Sequence, residues 1–264
     1  AREAVYRTER WLQRCVQAHA REDQALFGIV QGSTYADLRA LSAQLTAAIE
    51  LPGYAIGGVS VGEGHDLMMQ AVEQAEPALP EHKPRYLMGV GYPEDIVEAV
   101  WRGVDMFDCV LPSRYGRSGV MFTRKGRIRV TKGKFKSDRY PIDTQCGCPA
   151  CAQFSRGYLN HLLNSSEILG STLGTAHNIT FYQDLMKTIR MSIERGCFEA
   201  FRQAFHDEHL DEEKKDELGL RFPDAPDARA SLPWDTEHSV VPATSELEGY
   251  KESAPQEAYL TEQP

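Results

Sequence analysis

The sequence predicts an α/β fold with parallel strands, followed by a smaller cysteine-bearing lobe. Three observations carry that expectation. Four short apolar runs alternate with segments of helical periodicity, three cysteines fall within six residues, and charge is divided unevenly along the chain. The 264 residues are 42% hydrophobic and 25% charged, the composition of an ordinary globular protein. No stretch approaches the roughly 20 apolar residues that span a bilayer, and no apolar leader opens the chain. No membrane partner is therefore expected. The chain begins at Ala1 inside a helical pattern, and it is expected to be a fragment.

A helix over 3–20 presents Val5, Leu12, Val16 and His19 on one face. The first strand is read at Phe27–Gln31, followed by a helix with Leu38, Leu41, Leu45 and Ile49 at helical spacing. The second is Tyr54–Gly58, followed by a helix opened by Asp66 that carries Leu67, Ala71 and Val72. The third is Arg85–Val90. Pro93 then suits a first helical turn, Ile96, Val97 and Val100 form the inward stripe, and Gly103 stops the helix. The fourth is Met106–Leu111. Such alternation implies crossover helices between parallel strands. Both a doubly wound sheet and a (β/α)8 barrel accommodate it, and four strands would make half a barrel.

After Leu111 the pattern changes. Val120–Thr123 and Arg127–Thr131 around Gly126 read as a β-hairpin. Basic residues gather from Arg114 to Arg139, with only Asp138 opposing them. Such a run attracts polyanions, although charge alone fits a solvated hairpin face better. Helices are expected around 155–169, 178–195 and 197–206. In the second, Asn178 serves as N-cap, Phe181, Leu185, Ile189 and Ile193 face inward, and Gly196 ends the helix. From 207 to 264, 16 acidic residues meet 5 basic ones without periodicity, so a disordered acidic tail is expected. The expected divisions are 1–118, 119–206 and 207–264.

Of Cys146, Cys148 and Cys151, the first two are separated by one residue and cannot readily pair with each other, and the chain is not a small disulfide scaffold. A reducing, cytoplasmic setting is expected. With His177 the three thiolates make a closed tetrahedral Zn²⁺ shell, which leaves no position for substrate, so the metal is structural. His161 is the rival fourth ligand, but it lies inside a predicted helix.

In a barrel, chemistry gathers at the C-terminal strand ends. These are Gln31, Gly57 and Gly58, Gly89, and Asp108. Gln31 offers both a donor and acceptors to a nucleobase edge, and Gly58 allows close approach to bare backbone. Asp108 is a carboxylate between Phe107 and Cys109 in an apolar strand, where burial would be costly without compensation. Each residue alone has a duller reading as a polar strand end, turn glycine or helix cap.

The combination decides. Phe27-Gly-Ile-Val-Gln-Gly-Ser33, Ala55-Ile-Gly-Gly-Val-Ser-Val-Gly-Glu63, Tyr86-Leu-Met-Gly-Val-Gly91, Met106-Phe-Asp-Cys-Val-Leu-Pro-Ser-Arg114 and the cysteine–histidine set occur in one order. Over residues 1–206 the chain closely resembles the tRNA-guanine transglycosylases of the queuosine pathway. The resemblance implies the last four strands of a (β/α)8 barrel, a structural zinc lobe and, as usual in that family, a homodimer. It also implies exchange of guanine at the anticodon wobble position of tRNA for 7-aminomethyl-7-deazaguanine. Asp108 matches the nucleophile. Gln31, Gly57, Gly58 and Met88 match base-binding positions. Gly89, Val90, Gly91, Tyr92, Pro93, Glu94 and Asp95 match one RNA-contacting stretch, and Ser113, Arg114, Tyr115, Gly116 and Arg117 match another. Val61, where the queuine-using eukaryotic branch carries glycine, implies the bacterial type.

The family's general acid/base aspartate belongs to the first half of the barrel, which this sequence does not match. A lone half-barrel leaves edges uncovered, so residues 1–264 alone are expected neither to fold well nor to turn over. A noncatalytic zinc-bearing RNA-binding subunit is the alternative, but it would need no carboxylate nucleophile. A generic barrel enzyme acting on a small phosphorylated substrate is weaker still, since no glycine-rich phosphate fingerprint is present.

Overall fold

A computed structural model describes residues 1–211 together with 214, 215, 218 and 220. The chain forms two compact units, Ala1–Cys109 and the residues from Val110 onward. The expected boundary at 118 therefore falls inside the second unit. The tail expected from 207 lies largely outside the described residues, and its first residues complete a helix that runs to His209.

The first unit alternates α1 (Arg2–Ala18), β1 (Phe27–Val30), α2 (Ala36–Ala47), β2 (Gly53–Ile56), α3 (His65–Ala75), β3 (Arg85–Leu87), α4 (Pro93–Trp101) and β4 (Met106–Phe107). All three strand pairings are parallel, in the order β1-β2-β3-β4. That order never reverses, whereas a doubly wound sheet changes direction at a switch point. Register places Phe27 beside Gly53, Tyr54 beside Arg85, and Tyr86 beside Met106. Val30, Ile56 and Leu87 are fully buried and join Met68, Met69, Val72 and Val90 in one apolar core.

Two helices depart in part from the inward faces expected of them. On α2 the buried residues are Leu38, Arg39, Ser42, Ala43 and Thr46, while Leu41, Leu45 and Ile49 are only half-buried. This face lies over strand ends with backbone groups to satisfy: Ser42 Oγ accepts from the Gln31 N–H at 2.8 Å. On α3, Ala71 and Val72 are buried as expected, joined by Met68 and Met69, and only Leu67 of the expected stripe is exposed. The fourth strand stops at Phe107, so Asp108 sits just beyond it, and the carboxylate is exposed rather than buried.

The second unit contains α5 (Leu111–Arg117), the antiparallel hairpin β5 (Val120–Thr123) and β6 (Gly126–Arg129), α6 (Pro149–Gln153), α7 (Arg156–Asn164), α8 (Ile168–Glu194) and α9 (Phe198–His209). The expected helix start at Asn178 is overturned: α8 begins at Ile168, and Asn178 lies well inside it. Gly170 and Gly174, which look like breakers, instead mark close packing. A Cβ at Gly170 would lie 3.0 Å from Leu162, and one at Gly174 would lie 2.7 Å from the Gly116 carbonyl. Phe181, Leu185 and Ile189 are buried as expected, but Ile193 is exposed.

Candidate functional site

At the end of the first unit's fourth strand, Asp108 Oδ1 accepts two hydrogen bonds. The Tyr86 hydroxyl donates at 2.6 Å and the Gly89 N–H at 2.9 Å. Tyr86 reaches it because parallel register seats Tyr86 beside Met106, two residues before the aspartate. Gly89, at φ +76°, turns its N–H back towards the carboxylate, and its carbonyl accepts from Ser60 Oγ at 2.8 Å. The Tyr86 hydroxyl, then the Gly89 N–H, hold the Asp108 carboxyl below its ordinary range. The reciprocal effect pushes Tyr86 up to about 12, so this donor keeps its proton. Among the described residues, no other residue donates to Oδ2. One oxygen is anchored while the other stays open.

Gln31, Gly57, Gly58 and Met88 come together. A Cβ on Gly58 would stand 2.6 Å from Gln31 Oε1, and one on Gly57 would stand 3.3 Å from the Met88 sulfur and 3.6 Å from Gln31 Nε2. The Gln31 carboxamide thus lies against the glycine pair, in space that side chains there would fill. Met88 immediately precedes Gly89, which joins this edge to Asp108 through the backbone. Beneath the pair lies Arg39, fully buried. Burial draws its pKa down to about 10 against the supporting charge of Glu63. Glu63 itself accepts from the Ser60 and Val61 N–H groups, the latter at 2.9 Å.

In the second unit, Cys146, Cys148, Cys151 and His177 are buried, with their ligand atoms all within 4.8 Å of one another. The sulfurs lie 3.6, 3.5 and 3.3 Å from His177 Nδ1. His177 Nε2–H donates to the Phe122 carbonyl at 2.7 Å, which fixes the tautomer and leaves Nδ1 to face the sulfurs. The ring is held by a strand carbonyl. His161 is exposed on α7 and takes no part. The thiols do not titrate alike: Cys146 and Cys151 hold Cys148 far below its usual range, while Cys146 and Cys148 push Cys151 far above. Three crowded sulfurs ionise together only around a cation, so the donor set suits a metal ion.

The family model described as queuine tRNA-ribosyltransferase matches residues 1–211. This chain belongs to that family. A queuine tRNA-ribosyltransferase of Symbiobacterium thermophilum is 53% identical over 206 residues, which cover 78% of this chain and 52% of that protein. One from Desulforamulus reducens is 50% identical over 202 residues, covering 76% and 55%. One from Francisella tularensis subsp. tularensis is 49% identical over 205, covering 78% and 56%. The chain spans about half the length of these curated relatives.

The two stretches expected to contact RNA differ in what they expose. In the first, Gly89 is exposed and Tyr92 half-buried, but Val90, Gly91, Pro93, Glu94 and Asp95 are buried. Asp95 Oδ1 instead meets His65 Nδ1 at 2.6 Å. These buried residues support the loop, and their side chains do not present themselves to a polymer. In the second, Arg114 and Arg117 are exposed and Ser113 is half-buried. Tyr115 stacks on Phe122 at 5.7 Å, and Gly116 is buried, where a Cβ would lie 2.5 Å from the Thr175 nitrogen. Lys125, Arg129, Lys132, Lys134, Lys136 and Arg139 extend the exposed basic surface. Among the described residues, no helix is long and apolar enough to cross a membrane.

Three residues with clear roles in this geometry escape the sequence reading. Tyr86 lies inside a quoted motif, yet nothing local marks it as the partner of Asp108. Arg39 could have been noticed as a lone cation in the first turn of a helix that follows an apolar strand. Asn178 looks like a cap. In fact its Oδ1 accepts from the Phe122 N–H at 3.0 Å, and its Nδ2 donates to the Pro112 and Val120 carbonyls, each at 3.0 Å.

Proposed function

We propose that this chain carries the nucleophile and the base-reading edge of an enzyme that exchanges guanine at the tRNA wobble position for 7-aminomethyl-7-deazaguanine. The observation that carries this reading is Asp108, with one oxygen anchored by Tyr86 and Gly89 and the other open. Asp108 Oδ2 attacks the anomeric carbon of the ribose, and the C1′–N9 bond breaks with its electron pair passing to the departing guanine. The incoming base then attacks C1′ through its own N9, loses that proton, and releases the carboxylate. Two displacements restore the starting anomeric configuration. A lowered pKa keeps Asp108 ionised for the first attack. Gln31 and Gly58 read the base, and Met88 packs beside them.

Several further assignments belong to this reading. The unreversed strand order supports half of a (β/α)8 barrel, with chemistry at the C-terminal strand ends. Zn²⁺ fits the Cys146, Cys148, Cys151 and His177 donors: bonds of about 2.3 Å to sulfur and about 2.0 Å to nitrogen place tetrahedral S and N about 3.5 Å apart. The observed separations are 3.3 to 3.6 Å. A closed shell of this kind is structural and steadies the lobe. The tRNA phosphates pair with Arg114, Arg117 and the exposed lysines. Homodimerisation follows from the resemblance, and a cytoplasmic location from the cysteine usage.

The test is a denaturation-resistant adduct. Full-length protein containing this sequence, incubated with tRNA, is expected to retain RNA through denaturing electrophoresis, and Asp108→Asn is expected to lose it. A noncatalytic RNA-binding subunit would bind tRNA without any such adduct. Undiminished adduct in Asp108→Asn would remove the nucleophile assignment.

A further inference from the structure

Arg39 is a buried cation whose hydrogen bonds all end on backbone carbonyls. Its Nη1 donates to Gly57 O at 2.7 Å and to Val30 O at 3.4 Å. Nη2 donates to Ser33 O at 2.6 Å and to Gly58 O at 3.5 Å, and Nε donates to Ser33 O at 3.1 Å. One guanidinium therefore ties the end of β1, the turn after it and the residues just past β2. Keeping a charge where burial opposes it is costly, and two ordinary turns do not need such a fork.

The Gly57–Gly58 peptide shows what the fork accomplishes. No peptide in the described structure is cis, so the Gly57 carbonyl and the Gly58 N–H point in opposite directions. Arg39 holds that carbonyl inward, which turns the Gly58 N–H away from the guanidinium. Gly58 is exposed at φ +69°, and among the described residues no group accepts from its N–H. The Gln31 carboxamide lies directly against it. We infer that Arg39 is a positioning residue for base recognition: it sets the flip of the Gly57–Gly58 peptide so that the Gly58 N–H donates to the carbonyl of a purine-like base. Guanine has a single exocyclic carbonyl, and negative charge develops there as the glycosidic bond breaks, so the same N–H also assists departure. This inference rests on the base-exchange reading above.

A lysine at this position keeps the charge but offers its donors from one point, which cannot span Ser33 and Gly57 together. The experiment compares guanine with 2-aminopurine, which is guanine without the carbonyl, as competitors in base exchange by the full-length protein. The wild type is expected to favour guanine. Arg39→Lys, with its folding checked by thermal unfolding, is expected to raise the KM for guanine roughly ten- to a hundredfold, to lose most of the discrimination, and to leave the KM for tRNA within about twofold. A variant that folds but keeps its discrimination overturns the inference. Arg39→Gln, which retains a donor without the buried charge, is the second variant and is expected to lose discrimination likewise. If neither folds, the Gly58 amide resonance of the wild type decides: it must shift with guanine and not with 2-aminopurine, and a failure to do so overturns the inference. A wild type that exchanges no base at all defeats the functional reading instead, whatever Arg39 does.

Discussion

The Tyr86 hydroxyl stands 2.6 Å from Asp108 Oδ1, and it reaches across 22 residues of sequence to a carboxylate that is otherwise exposed. It is the largest influence on that carboxyl's acidity. Tyr86→Phe removes the donor while keeping the ring, so the Asp108 pKa must rise. Protonation then disables the nucleophile at a higher pH, and the acid limb of the rate profile is expected to move upward. The rate on the plateau is expected to fall roughly tenfold, as for the loss of one charge-assisted hydrogen bond. A pH–rate profile of the full-length variant checks both, and an unmoved acid limb would contradict the assignment.

The cluster of Cys146, Cys148, Cys151 and His177 is buried at every residue. Purified protein is expected to hold about one zinc per chain, and Cys148→Ser or His177→Ala to hold almost none. Elemental analysis measures the content directly. Because metal binding is coupled to folding, a chelator is also expected to lower the thermal midpoint and to open the lobe to protease. Zinc retained in full by Cys148→Ser would exclude this ligand set.

Asn178 satisfies three backbone groups of α5 and β5, at 3.0 Å each, two of them in fully buried bonds. Asn178→Leu fills similar space but leaves those groups without their partner. A loss of about 3 kcal/mol is expected, read from urea unfolding. A loss under about 0.5 kcal/mol would mean that water replaces the side chain there.

Gly116 lets α5 touch α8. An added Cβ would lie 2.5 Å from backbone nitrogen, which cannot rotate aside. Gly116→Ala is expected to cost about 1 to 3 kcal/mol in denaturant unfolding. It also displaces the helix that carries Arg114 and Arg117, so tRNA affinity is expected to fall with it. Unchanged stability would show that the two helices separate freely.

The exposed basic surface makes a salt-dependent prediction. If Arg114, Lys132 and their neighbours neutralise phosphates, tRNA affinity declines steeply with added salt. Each Arg or Lys replaced by alanine is expected to flatten the slope of log affinity against log salt by about 0.7 to 0.9. Fluorescence anisotropy across a salt series measures it. An identical slope in Lys132→Ala would remove that lysine from the interface.

Much of this architecture is legible along the chain. The alternation of apolar runs with helical spacing names four parallel strands, and the strand ends lead to the candidates Gln31, Gly58 and Asp108. Three cysteines in one turn with a later histidine name the four buried side chains that come together and could hold a metal ion. Spacing carries these features because strand, helix and ligand turn are local. Pairings between distant segments are not local, and they explain what the reading misses. Tyr86 meets Asp108 through strand register, Arg39 finds carbonyls as far as Gly58 only when α2 lies over the strand ends, and Asn178 reaches Phe122 across 56 residues. The same applies to α8. Its glycines and asparagine look like helix boundaries when judged locally, but in the fold they are contact points with α5, α7 and β5. Residue types and their periodicity thus establish which chemistry is available, whereas packing selects the donor that meets each acceptor, because a buried polar group must find its partner in space rather than in sequence.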